Sequence, residues 1–220
     1  AALRAQGLTQ MIVCDPKSVW YLTGVAVEPY ERLLALYLPT EGEPVLFLNR
    51  LFNVPEPPCR TVWHTDTDKP VAQIAEVVDA GKPLGIDKEW PAKFLIPLME
   101  THPGMQVVLS SDCVDNCRAC KDAEEQALMR EASRINDAVN ETAKHYIKAG
   151  MTEREVAEFI DAQFRAHGCE GPSFTTIVSF GANAADPHHE PDDTVLKEGD
   201  CVLFDMGCVK SRYCSDMTRT

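Results

Sequence analysis

The sequence predicts two domains of different type, an α/β domain over residues 1–115 and an α+β domain over residues 122–220. Three observations lead there. Short apolar runs alternate with helically spaced ones as far as Leu109. Between Ser110 and Lys121 the pattern lapses into Ser, Asp, Asn and Cys. Beyond it, two capped amphipathic helices give way to strand periodicity.

Met11–Cys14, Leu33–Leu38, Val45–Leu48 and Gln106–Leu109 have the apolar content of strands, each bounded by Pro, Gly, Glu or Asp. Pro70–Ala80, with Val71, Ile74, Ala75 and Val78 in helical spacing, and Pro91–Thr101 are expected helices, since a missing N–H is harmless in a first turn. Asp122 and Glu125 form a capping-box pattern, and Leu128, Ile135, Val139, Tyr146 and Ile147 repeat on one helical face up to Gly150. Thr152 and Glu155 open a second such helix, carrying Val156, Phe159, Ile160 and Phe164 as far as Gly168. Strands are expected at Phe174–Phe180, Cys201–Met206 and Arg212–Thr218, with Gly181–Asp193 as a loop. Helices on one face of an antiparallel sheet would make the second domain.

With 45% hydrophobic and 25% charged residues, the 220-residue chain has the balance of a soluble globular protein. Its net charge of −13 divides into −4 over residues 1–121 and −9 over 122–220, a surface that repels phosphate backbones and argues against nucleic acid as a partner. No apolar run approaches membrane-spanning length, so no membrane association is expected. The start, Ala1-Ala2-Leu3-Arg4, has no signal-peptide pattern and no initiator Met, so a trimmed start is expected. Nine irregularly spaced cysteines fit free thiols in a reducing compartment, and the cytoplasm is the expected location. Cys113, Cys117 and Cys120 have a spacing that could ligate iron or zinc. They precede a long acidic helix and lack a glycine-rich setting, so they are expected to be unligated.

The chemistry concentrates near the C-terminus. Cys201-Val202-Leu203-Phe204-Asp205-Met206 is a buried-strand pattern interrupted by one carboxylate, which costs several kcal/mol unless paired or bound to a cation. A hairpin centred between Lys210 and Ser211 would set Asp205 directly opposite Asp216. Facing carboxylates repel, so such a pair needs a shared proton or a cation. The alternatives are a slipped register or an Asp that merely serves a turn. Hard oxygen donors favour Mg, Mn, Co or Zn, and two such ions can clamp a water-derived nucleophile. Upstream, Gly181-Ala182-Asn183-Ala184-Ala185-Asp186-Pro187-His188-His189-Glu190-Pro191 places two histidines in a loop after a strand, where they are candidates for ligation or proton transfer or are plain surface residues.

In order, the Gly181–Pro191 run, Lys197-Glu198-Gly199-Asp200, Phe204-Asp205-x-Gly207 and Tyr213-x-Ser215-Asp216-x-Thr218-Arg219-Thr220 resemble the pita-bread metallopeptidases of the prolidase and aminopeptidase P family. The resemblance extends upstream to Asp15-Pro16-x-x-Val19-x-Tyr21-Leu22-Thr23-Gly24, to Lys121 with Glu125–Ala132, and to Gly150-x-Thr152-Glu153-x-Glu155. The hairpin spacing alone would also admit methionine aminopeptidases. Those usually lack an N-terminal α/β domain, which favours the Xaa-Pro branch.

The resemblance implies a creatinase/prolidase-type N-terminal domain followed by an incomplete pita-bread catalytic domain. It implies Asp205 and Asp216 as metal ligands, with Asp216 bridging two ions, and His188 as the histidine that steadies the substrate carbonyl or oxyanion. His189 would have no role. Two divalent metal ions are implied, manganese first with cobalt or zinc as alternatives. The implied substrate is a peptide with proline in the second position, and the implied assembly is a homodimer. The family completes its site with one His and two Glu further along, so this chain is expected to be a piece of a longer enzyme and inactive alone. A non-catalytic scaffold of the same fold is the competing expectation. A metal-free relative of the creatinase kind is disfavoured because both aspartates are retained.

Overall fold

A short helix, α1 (Ala2–Ala5), leads into β1 (Gln10–Val13), a strand buried along its whole length. The computed structural model describes residues 1–220 and separates into two units, Ala1–Cys120 and Lys121–Thr220.

In the first unit β1 is followed by α2 (Pro16–Thr23), β2 (Ala35–Pro39), β3 (Val45–Asn49), β4 (Arg60–His64), α3 (Pro70–Ala75), β5 (Leu84–Ile86), α4 (Ala92–Thr101), β6 (Val107–Leu109) and α5 (Asp112–Ala119). The strands form one mixed sheet in the order β4-β3-β2-β1-β5-β6. Its centre is apolar on both faces because helices cover both. Ile12, Ala35, Val45 and Phe47 join one cluster with Ile74 of α3 and Leu98 of α4. Met11, Val13, Leu36 and Leu46 join the other with Val19 of α2 and Cys113 and Val114 of α5.

Two expectations change here, and one helix, α2, adds to them. The helix beginning at Pro70 ends at Ala75, and the Val77 N–H turns back to the Ile74 carbonyl in a tighter 3.1 Å bond. The stretch Ser110–Lys121 contains α5, whose Cys113 and Val114 are buried. Asp15 caps α2 by accepting from the Ser18 N–H at 2.9 Å, with Pro16 in the first turn.

The second unit opens with α6 (Ala123–Tyr146) and α7 (Glu153–Ala166), both with the capping boxes their sequences suggest. Then come β7 (Gly171–Pro172), β8 (Ile177–Phe180), a 3-10 turn at Gly181–Ala185, β9 (Val202–Met206), β10 (Cys208–Lys210), β11 (Tyr213–Cys214) and β12 (Met217–Arg219). Two small antiparallel sheets result, β12-β9-β8 and β11-β10-β7. Val139, Val156, Ile160 and Phe164 of the helices pack with Val178, Phe180, Phe204 and Met206, so the helices cover one face of the sheet. The expected strand Arg212–Thr218 is two short ones, interrupted at Ser215–Asp216, and Phe174–Phe180 is regular only from Ile177.

Candidate metal centre and histidine loop

Side chains alternate along β9, so Phe204 and Met206 face the helices and Asp205 points to the opposite face. Asn136 of α6 pins the end of the strand, its Nδ2 donating to the Met206 carbonyl at 3.0 Å. Asp205 has Ile177 as its Cα partner on β8 and Thr218 on β12. Its Oδ1 is buried and accepts no hydrogen bond. A buried, unpartnered carboxylate oxygen fits a cation ligand, because an ion would offset the lost hydration.

Asp205 and Asp216 are not directly opposed. The hairpin turns at Ser211 and Arg212, whose φ values of 48° and 66° belong to a two-residue turn of the mirror-image type. The register then runs Lys210 to Tyr213, Val209 to Cys214 and Met206 to Met217, which sets Gly207 opposite Asp216 and Thr218 opposite Asp205. The pairing is displaced by two residues from the expected one. Asp216 itself is exposed.

At that crossing the strands lie unusually close. The Ser215 N–H donates to the Cys208 carbonyl at 2.9 Å, and the Cys208 N–H donates to Ser215 Oγ at 3.0 Å. Residue 207 has no room for a side chain: a Cβ there would stand 2.0 Å from the Ser215 carbonyl oxygen.

His188 is exposed in the loop after β8, and its backbone N–H donates to Asp186 Oδ1 at 2.9 Å. His189, expected to be without a role, turns inward. Its Nε2 lies 2.6 Å from Oε2 of Glu153, the first residue of α7, whose side chain is 0% exposed. Glu153 Oε1 accepts from the Phe180 N–H at 2.7 Å and from Asn183 Nδ2 at 3.0 Å, while Oε2 also accepts from the Asp192 N–H at 3.2 Å. Glu153, His189 and Asp192 offer ligand atoms within 4.8 Å of one another. With both Glu153 oxygens already accepting two hydrogen bonds each, the cluster is a hydrogen-bonded anchor. Glu153 has an ordinary place in the sequence, an acid in a helix first turn, and its partners lie far along the chain.

Residues 1–120 match the family model of the creatinase/prolidase N-terminal domain. The chain belongs to the creatinase/prolidase family. Residues 127–220 match the model of metallopeptidase family M24, so this creatinase/prolidase chain joins the family's N-terminal domain to part of a pita-bread domain. It is 33% identical over 219 residues to an uncharacterized peptidase of Staphylococcus aureus, covering 94% of this chain and 60% of that one. Among solved structures, a dipeptidase, PepE, from Mycobacterium ulcerans superposes with a TM-score of 0.88 at 30% identity, covering 100% of this chain and 61% of that one. A prolidase from Thermococcus sibiricus superposes with a TM-score of 0.87 at 29% identity, covering 99% and 62%. The chain thus spans about 60% of the length of the relatives it matches.

Proposed function

We propose that these residues form the N-terminal domain and the opening part of the catalytic domain of a divalent-metal-dependent peptidase that cleaves before proline. The observation that carries the proposal is the buried, unpartnered Oδ1 of Asp205 on the sheet face away from the helices. Asp216 lies two residues from Asp205's cross-strand partner. The pairing keeps the same offset on both sides of the interruption at Ser215–Asp216, and alternation carried across it supports a common face for the two carboxylates, as diagonal neighbours within reach of a shared site.

Asp205 and Asp216 would hold two ions, manganese first, with cobalt or zinc also compatible with hard oxygen donors. When bound, such a pair supplies Lewis acidity toward the scissile carbonyl and lowers the pKa of water. His188 donates a hydrogen bond to the oxygen on which charge develops, stabilising the transition state more than the substrate. Two carboxylates are an incomplete coordination sphere, so the proposal assigns the remaining ligands to residues beyond these 220 and predicts no turnover by this chain alone.

The solved relatives named prolidase and dipeptidase support a short peptide with proline second as the substrate. No helix of the chain is long and apolar enough to cross a membrane. A homodimer in the cytoplasm belongs to the same proposal.

The deciding experiment extends the chain to the relatives' full length and measures bound metal beside Xaa-Pro dipeptide hydrolysis. Asp205→Asn should lose both. Full metal content and full rate in that variant would refute the assignment.

A further inference from the structure

The loop Gly181–Asp193 has polar residues and proline at its tip, yet one buried carboxylate ties it down at three places. Glu153 accepts from the Phe180 N–H just before the loop, from Asn183 within it and from the Asp192 N–H at its end. The fourth bond, from His189 Nε2 at 2.6 Å, is to the residue directly after His188. His189's side chain is only 14% exposed, whereas His188 stands in solvent. Two adjacent histidines therefore have opposite orientations, one clamped inward and one presented outward.

Glu153 sits where its charge is favourable, at the N-terminus of α7. Its own N–H donates to the Thr194 carbonyl at 3.2 Å, which fastens the far side of the loop to the same residue. Hydrogen bonds to a buried carboxylate are among the stronger ones, and their loss leaves an uncompensated charge.

We propose that Glu153 and His189 are positioning residues: the Glu153 carboxylate, gripping His189, fixes the loop so that the neighbouring His188 imidazole is presented to the substrate. This rests on the catalytic reading of His188 given above. A histidine on an untethered loop samples many orientations, and small misplacements of a reacting group are costly in rate.

The test has two arms, one of which needs no turnover. In the 220-residue chain, amide hydrogen exchange is followed for the loop and for α6 in Glu153→Gln, His189→Leu and His189→Gln. Glutamine at 153 keeps one carbonyl acceptor, which Phe180 and Asn183 both need; its NH2 then faces His189 Nε2, which can accept in its other tautomer, and the Asp192 N–H, which loses its acceptor. Glutamine at 189 can still donate, and leucine cannot. Glu153→Gln and His189→Leu should exchange the Asp192 amide about tenfold faster or more with α6 unchanged, and His189→Gln should stay near wild type. In a chain of the relatives' full length, the same two variants should lower kcat about tenfold or more with KM and metal content little changed, and His189→Gln should restore most of it.

Unchanged loop exchange in Glu153→Gln and His189→Leu overturns the anchor. So does one equivalent of Zn2+ bound by the 220-residue chain and lost in His189→Leu. A loosened loop with kcat intact, where His188→Ala lowers kcat, overturns the positioning role. If His188→Ala leaves kcat unchanged, the reading of His188 fails and the positioning role with it, while the exchange arm still decides whether Glu153 holds the loop.

Discussion

Ser173 Oγ donates to the Ser215 carbonyl at 2.8 Å, through the space that a side chain on residue 207 would need. The Ser173 N–H also donates to the Gly207 carbonyl at 3.0 Å, so three segments converge immediately beside Asp216. A Cβ at 207 would meet Ser173 Oγ at 2.3 Å and backbone at 2.0 Å. The hydroxyl can swing away and the backbone cannot. Gly207→Ala should therefore destabilise the 220-residue chain by about 3 kcal/mol or more, measured by urea unfolding. A loss below about 1 kcal/mol would mean that the strands can part here.

The turn that sets the register uses unfavourable residues. Ser211 and Arg212 both have positive φ, a conformation that Asn and Gly tolerate far better. Ser211→Asn should raise the urea midpoint, adding up to about 1 kcal/mol, without shifting the pairing of Lys210 with Tyr213. A lower midpoint would show that the turn is held by something other than its own backbone preference.

That same turn explains why the register was not legible in the sequence. A mirror-image turn usually announces itself with Asn-Gly or Asp-Gly, and Ser211-Arg212 carries no such signal. The long elements were legible because two signals agreed in each. Asp122 with Glu125 and Thr152 with Glu155 make both hydrogen bonds of a capping box, and apolar residues follow on one helical face. Helix α2 was missed even though Asp15-Pro16 is a starting signal, since its eight residues bury only Ser18 and Val19 and show little periodicity. Glu153 lay beyond local inference altogether. Its character comes from Phe180, Asn183, His189 and Asp192, brought to it by the fold from 27 to 39 residues away.

Burial, together with a hydrogen bond to Cys208, pushes the Cys169 thiol up to about 12 from its ordinary 9.0. The folded state therefore holds this proton where the unfolded chain has released it. The resulting stability is complete below pH 9 and is lost as pH rises toward 12. Urea midpoints should fall from pH 9 upward, and Cys169→Ala should flatten that fall, although it also leaves a small cavity. At pH 8 a thiol reagent should modify exposed Cys117, Cys120, Cys201 and Cys214 while Cys169 stays unmodified until the chain unfolds. Rapid labelling of Cys169 in the folded chain would contradict the assignment.

His188 and Asp216 should separate cleanly when tested in a chain of the relatives' full length. An imidazole donating to a developing oxyanion acts in the transition state, so its removal lowers kcat and leaves ion binding alone. His188 suits that role because it is exposed, with only its backbone N–H engaged by Asp186. In the proposed site Asp216 would help hold the metal pair, so its loss would dismantle the centre. His188→Ala should thus lower kcat about tenfold or more with metal content nearly unchanged, whereas Asp216→Ala should lose metal and turnover together. Metal analysis beside the hydrolysis rate of an Xaa-Pro dipeptide reads both. If His188→Ala empties the site, His188 is itself a ligand. If it changes neither quantity, catalysis does not use the outward-facing histidine, and its inward-facing neighbour becomes the residue to examine.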